Sequence, residues 1–453
     1  MNAPRAAAIS VGLSVGLVLS DSSVVILALP AVLAEFNAEV AEVAGVITWF
    51  NLALALSAVP AAYASLRADP RLLASGGLVA FAVASLACAV AGSLDGLVWA
   101  RVAQAIGGAF VVCAALRLLS DTLGDRRRAA IWWASAGAIG AAVGPAAGGF
   151  LTQIFSWESI FVVQAPVAIA AAAMVMRLPR PAPAGERQRS RGHVPDPAAN
   201  AALLLLSAAL TAALFLLVLL LIEGWRLEPL TAAVTVTAMP LAAVAMRFAP
   251  AWVRAPAPAA LAGALLVAGG LAALAIVPSA NALWTVPPQL LIGAGLGLAL
   301  EALPAVALAR REPQELHAGW TIASRHAGVV VGLLLLTPVF SADLDEQEVV
   351  AERAGAAAVL DADLPIGLKT QTGLAILREL DRTTGQLPDL DPAFEAQRPS
   401  AEDRPAFERL RSDLEEEIQR AGTTAFRDSF RLAALLALGA ALPELALWRR
   451  RVG

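Results

Sequence analysis

The chain alternates between long apolar runs and short polar breaks. Twelve runs have about the 20 residues that a helix needs to cross a bilayer. They are 6–33, 42–65, 71–92, 94–119, 127–153, 158–177, 198–222, 229–252, 258–278, 282–309, 316–341 and 429–448. The pattern therefore predicts twelve transmembrane helices. The breaks between them alternate in sign. One set holds Arg67 and Arg71, then Arg126 to Arg128, then Arg177, Arg180, Arg187, Arg189 and Arg191, and later Arg247, Arg254, Arg310 and Arg311. The other set holds Glu35, Glu39, Glu42, Asp95, Glu158, Glu223 and Glu228, with Arg226 as its only base. Basic residues in short loops stay in the cytoplasm. Both termini are expected there, as an even number of spans requires. Trp49, Trp99, Trp157, Trp225 and Trp284 fall near one face, and Trp132, Trp133, Trp252, Trp320 and Trp448 near the other. Such aromatic belts mark the two membrane–water interfaces.

Two breaks are longer. Residues 178–197 are rich in Pro and Arg and read as a flexible cytoplasmic linker. They divide the chain into a six-span half at 1–177 and another at 198–453, the arrangement of a transporter built from two halves. Residues 342–428 form an extracytoplasmic block between spans eleven and twelve. Amphipathic helices are expected in it at 344–360, 370–384 and 402–421, the last with Phe407, Leu410, Leu414 and Ile418 at helical spacing. A small helical cap is the plainer expectation; a lid, or a docking surface for an extracytoplasmic partner or lipid, is the functional one.

Composition excludes other classes. Of 453 residues 58% are hydrophobic and 15% charged, against roughly 45–50% and 25% in soluble domains. Mean hydropathy is +0.69. A soluble core of this length has no place to hide so much apolar surface. Net charge is −4, so nucleic acid is not an expected partner. The block 342–428 carries 20 acidic and 10 basic side chains, so the rest of the chain is net positive. Cys88 and Cys113 sit in apolar runs and read as small buried hydrophobes. The three histidines have no metal-ligand spacing, and no metal is expected. There is no phosphate-binding loop or hydrolase motif, so neither ATP hydrolysis nor an enzyme is expected.

Residues 137–151, GAIGAAVGPAAGGFL, carry Gly137, Gly140, Gly144, Pro145, Gly148 and Gly149. Glycines at four-residue spacing give a helix a smooth face for close contact, and the proline frees a backbone carbonyl. This stretch resembles the fifth-helix antiporter motif of the major facilitator superfamily. LSDSSVVILALP (19–30), with Asp21, resembles the first-helix signature of its drug:proton antiporters. LVWARVAQAIGGA (97–109), with Arg101 and Gln104, resembles the fourth-helix motif. ASRHAGVVVG (323–332) and FRDSFRLAALL (426–436) resemble the last helices of the drug-efflux branch. There are departures. The loop between spans two and three reads AYASLRADPRL: it keeps Arg67 and Arg71, but its acid falls at Asp69 where the family places it at the position of Leu66. That loop helps latch the halves in the family, so a weak or rearranged latch is implied. In WESIFVVQAP (157–166), Glu158 and Gln164 stand where the family has Arg and Asn.

A charge inside hydrocarbon is costly and is read as paired and functional. Helical rise puts Asp21 and Arg101 at similar depth, and the two are expected to meet in the outer half of a central cavity. The same arithmetic pairs Glu301 with Arg325 in the inner half. Asn51, Gln104 and Gln289 are expected to line the cavity, with hydrogen bonding between helices as the plainer alternative, and Glu444 and Glu223 to lie at the interface. Asp21 near Arg101 is ionised when paired and takes a proton when the pair opens; the resemblance implies that this carboxylate couples transport to protons. The expectation is an all-α integral membrane protein of the bacterial inner membrane. It is expected to be a monomer, to need no cofactor beyond protons as the coupling ion, and to export a small hydrophobic or lipid-like substrate. Lipid translocation by the same fold, or a scaffold or sensor role for the block 342–428, are the alternatives.

Overall fold

The computed structural model describes residues 3–180, 194–250, 252–278, 280–308, 311–382 and 390–452, and among them every regular element is helical. Most of the linker expected at 178–197 lies outside the described residues.

The first half holds spans one (Ala3–Ile26), two (Val40–Ser65), three (Pro70–Ala89), four (Leu94–Leu123), five (Arg126–Ile154) and six (Glu158–Met176). The second holds spans seven (Pro197–Leu219), eight (Pro229–Val236, then Ala238–Ala245), nine (Pro256–Leu274), ten (Val286–Leu308), eleven (Gln314–Asp361) and twelve (Arg427–Val452). Their ends are written locally. Glu39 and Glu42 form a reciprocal capping box on span two. Ser93 and Asp125 cap spans four and five by accepting from backbone amides. Gly124 closes span four in the left-handed conformation that favours glycine. Span eight breaks at Thr237, where Pro240 cannot donate to the carbonyl four residues back.

The block 342–428 differs from expectation at its start. No helix begins at 344; span eleven runs unbroken for 48 residues, roughly 70 Å. The stretch SADLDEQE after 340 turns polar but contains no Gly or Pro. Polarity marks where a helix leaves the membrane, and only a breaker marks where it stops. Ile366–Arg382, Asp391–Glu395 and Arg404–Ala425 then fold back on it. Val359, Leu364, Leu390, Phe394, Phe407, Leu410 and Leu414 make a separate small core, with Phe394 and Phe407 edge to face at 5.2 Å. Phe340, Phe426 and Phe430 stack where this cap meets the spans.

The halves meet unevenly. On the acidic side Leu33 and Val40 of the first half close on Leu219, Phe340, Leu344 and Phe426 of the second. On the basic side span two lies flat on span eleven, where a Cβ on Gly319 would come within 2.6 Å of Ala62. Span five leaves a cleft toward spans eight and ten there. Arg126 and Glu312 bridge the halves at 2.7 Å beside that cleft, both half exposed. An exposed pair is worth below about 1 kcal/mol. Arg126→Ala should therefore leave thermal unfolding in detergent essentially unshifted; a large drop would show that the pair belongs to a cooperative network.

Candidate functional site

The SDSS run at 20–23 puts four polar side chains on one turn of an apolar helix. Ser20 is settled locally, donating to the Leu17 carbonyl at 2.8 Å, while Ser23 shares its one proton between the Ser20 carbonyl at 2.8 Å and the Ala141 carbonyl of span five at 3.1 Å. Asp21 points into the first half and is fully buried. It forms an ion pair with Arg101 of span four, itself fully buried. Gln164 of span six donates to Asp21 at 2.8 Å. Arg101 also donates to Gln104, which donates in turn to Ser85 at 2.8 Å and to Gln164 at 3.0 Å. The Arg101 guanidinium lies 3.9 Å from the Phe50 ring centroid and 5.7 Å from that of Phe161. Its Nε and Nη2 have no hydrogen-bond partner, so those rings are what they face. Spans one, two, three, four and six thus converge on one carboxylate.

The structure brings Asp21, Arg101 and Gln104 together, but inside the first-half bundle and not on the wall of a central cavity as expected. A depth argument fixes height in the membrane and leaves direction open. Ser85, Phe50, Phe161 and Gln164 were not among the expected site residues. For Gln164 the signal was present, as an amide in an apolar span replacing the family's Asn.

The glycine face joins this site to the rest of the molecule. A Cβ on Gly140 would lie 2.3 Å from the Gly16 carbonyl oxygen, on Gly144 2.0 Å from Ser23 Oγ, and on Gly148 2.3 Å from the Val24 carbonyl oxygen. Gly137 faces Leu19 in the same way. Pro145 leaves the Ala141 carbonyl without its helical donor, and Ser23 donates to it at 3.1 Å. Gly149 turns to the other half, where its Cβ would meet Ala233 of span eight at 2.2 Å. Span five is therefore seated against the turn of span one that carries Asp21, and it touches the second half beyond it.

The second expected pair does not form. Glu301 binds Arg247 of span eight at 3.4 Å, and Arg247 also donates to Ser135 of span five at 2.7 Å. Below the Pro240 break span eight tightens into the turn Met246–Phe248, which carries Arg247. Arg325 instead stands on the wall of a small cavity with Leu19, Trp133, Gly137, Leu203 and Thr321. Equal height did not make Glu301 and Arg325 neighbours. Asn51 is not a cavity residue either. Its Oδ1 lies 2.6 Å from Nδ1 of His326, a buried contact between spans two and eleven. Gln289 is fully buried and donates to Thr285 at 2.9 Å.

In the loop between spans two and three, Arg67 folds over the Tyr63 ring at 4.1 Å. Asp69 caps span three and pairs with Arg71 at 2.7 Å. The hydrogen bond from Arg71 holds the Asp69 carboxyl below its usual range, against a smaller opposing effect of burial. Arg71 also donates to the Leu178 carbonyl at 2.9 Å. None of these contacts reaches the second half, and among the described residues the ion pair across the halves on this side is Arg126–Glu312.

Glu444 corrects its expectation. Span twelve continues to Val452, so Glu444 lies two turns inside the helix. It is fully buried, and neither carboxyl oxygen has a partner among the described residues. An unsatisfied buried polar group costs about 1–3 kcal/mol. Glu444→Leu should therefore raise thermal stability in detergent; a fall would show that the carboxyl has a structural partner.

Two bundles of six spans, a charge pair buried in the membrane and a glycine seam beside it define a membrane transporter of the two-half kind. The chain belongs to the Major Facilitator Superfamily, whose model matches residues 11–336. It is 34% identical over 169 residues to the tetracenomycin C resistance and export protein of Streptomyces glaucescens, covering 37% of this chain and 31% of that one. It is 30% identical over 166 residues to the drug efflux pump JefA of Mycobacterium tuberculosis, 36% of this chain and 33% of that one. A putative multidrug resistance protein, MdtD of Pectobacterium atrosepticum, matches at 32% over 151 residues, 33% of this chain and 32% of that one. The matches span about a third of the length of these curated relatives. The bacterial homolog of the human lysosomal transporter Spinster, inward-facing and unoccupied, has a similar fold over 98% of both chains, with TM-score 0.67 at 16% identity.

Proposed function

We propose that the protein exports hydrophobic or amphipathic compounds in exchange for protons, with Asp21 as the proton carrier. In this reading it sits in the bacterial inner membrane as a monomer, with its basic side and both termini in the cytoplasm. The observation that carries the proposal is the fully buried Asp21–Arg101 pair with its two glutamine amides. Proton binding removes one charge of the pair and leaves Arg101 uncompensated in an apolar bundle. The bundle then lowers its energy by rearranging around span one. Ser23, half a turn on, holds span five through the Ala141 carbonyl, so rearrangement of span one is passed to the seam beside the second half. Rocking of the halves around a midplane site turns that into alternating access. The relatives named as export and efflux proteins support the direction of transport.

The test is proton movement in proteoliposomes carrying a pH-sensitive dye, triggered by candidate amphiphiles, with the wild type and Asp21→Asn. Movement that disappears in Asp21→Asn is expected. Movement that survives the substitution would remove Asp21 from coupling. No movement with any transported compound would remove proton exchange.

A further inference from the structure

We infer that the exported molecule is an anionic amphiphile that enters sideways, from the membrane leaflet on the basic side, between span five and spans eight and ten. This rests on the exporter reading above and adds the substrate's charge, its route and its seat. Two cavities meet at that place. The inner one is a slot lined by apolar side chains, among them Ile139 and Pro145 of span five, Leu210 of span seven, Met239 and Val244 of span eight, and Leu296 of span ten. From Ala138 to Pro145 its wall runs seven residues, about 10 Å of helix, which suits an alkyl tail. The outer one is a mouth of about 850 Å³, within the range of ligand pockets.

The mouth has a surplus of positive charge. Arg126, Arg127, Arg254 and Arg311 line it, with Glu301 and Glu312 as its carboxylates. Arg126 is neutralised by Glu312, Arg311 by Asp196 at 3.0 Å, and Glu301 is taken by Arg247. Among the described residues Arg127 and Arg254 form no ion pair; Arg254 gives its Nε to the Ala249 carbonyl at 2.9 Å. Two guanidiniums without counter-ions suit a phosphate or carboxylate head, which arginine binds with paired donors. A lipophilic cation would meet only repulsion from them.

The junction of mouth and slot is the Arg247–Glu301–Ser135 cluster, since Glu301 lines both cavities. An anionic head moving inward competes with Glu301 for Arg247 and breaks the strap to Ser135 that ties span eight to span five. Apolar side chains stand exposed at this edge, as an opening toward lipid requires. Ile131 at the mouth is 52% exposed, and Leu241 on span eight 64%. Spans five and eight touch at the far end, Gly149 against Ala233.

The test is binding to the purified full chain in a neutral detergent, by calorimetry, of dodecyl phosphate, dodecyltrimethylammonium and inorganic phosphate. Dodecyl phosphate is expected to bind at least tenfold more tightly than the cation of equal chain length, and inorganic phosphate not to bind. The double variant Arg127→Ala/Arg254→Ala should lose at least tenfold, and Arg127→Lys/Arg254→Lys should recover part of it. Ala243→Trp, which fills the slot, should weaken dodecyl phosphate while its unfolding temperature reports that the chain is folded. Equal or tighter binding of the cation would overturn the inference. So would binding of inorganic phosphate as tight as the amphiphile, which would show a water-facing anion site only. Retained affinity in both the arginine and the slot variants would overturn the location. These outcomes do not depend on coupling: the exporter reading fails on the dye experiment and this one fails on binding preference.

Discussion

Asp21→Asn should lower the stability of the folded chain by about 3–5 kcal/mol, the usual cost of breaking a buried ion pair from one side. The loss comes from the partner left behind. Arg101 is fully buried, and two of its guanidinium nitrogens already lack hydrogen-bond partners. Without the carboxylate it keeps Gln104 and the faces of Phe50 and Phe161, and a cation–π contact is worth about 2 kcal/mol when desolvated. That does not replace an anion. The double variant Asp21→Asn/Arg101→Met should recover most of the loss, because it removes both charges and keeps an apolar stem over the rings. Replacing a buried pair by apolar groups is often neutral or stabilising. Thermal unfolding of the single and double variants, each beside the proton-movement assay, separates two roles. A pair that only staples the bundle gives a double variant both stable and active. A pair that carries the proton gives one that is stable and uncoupled.

The reach of sequence reasoning here follows from what lipid imposes. A helix in hydrocarbon must satisfy its own backbone and be apolar along its length, so the number of spans was legible from the runs of apolar residues. Asp21 and Arg101 were legible as partners because an isolated charge in an apolar run has no other affordable state. Azimuth is another matter. Glu301 and Arg325 share a depth, but the tight turn at Met246–Phe248 places Arg247 nearer. Nothing in the spacing of charges predicts that turn. The unbroken course of span eleven into the cap went unseen for a simpler reason: a polar stretch of good helix formers was read as a boundary. Glu444 was misplaced because the apolar run ends before the helix does. Asn51 and His326 lie in different halves, and a single amide in a span does not say which neighbour will face it.

The glycine seam should tolerate no large side chain, and Gly140→Leu should abolish transport and folding. Even the Cβ alone would stand 2.3 Å from the Gly16 carbonyl oxygen and 2.8 Å from its Cα, well inside van der Waals contact. The neighbour is backbone, so no rotamer change relieves the clash; span one and span five must part. Overpacking of a well-packed contact typically costs 1–3 kcal/mol, and here it also pulls Ser23 from the Ala141 carbonyl. Gly76, by contrast, has nothing within 4 Å of its Cβ position on span three. Gly76→Ala should leave folding intact, and the better helix propensity of alanine favours it by up to about 1 kcal/mol. The comparison separates a seam from generic glycine content. Gly140→Ala gives the intermediate case: a correctly inserted chain, destabilised relative to wild type, with slowed exchange because the strained seam favours the parted helices. Transport and thermal unfolding measured on Gly76→Ala, Gly140→Ala and Gly140→Leu should fall in that order. Wild-type behaviour of Gly140→Ala in both would show that the two helices are not held at this distance in the working protein.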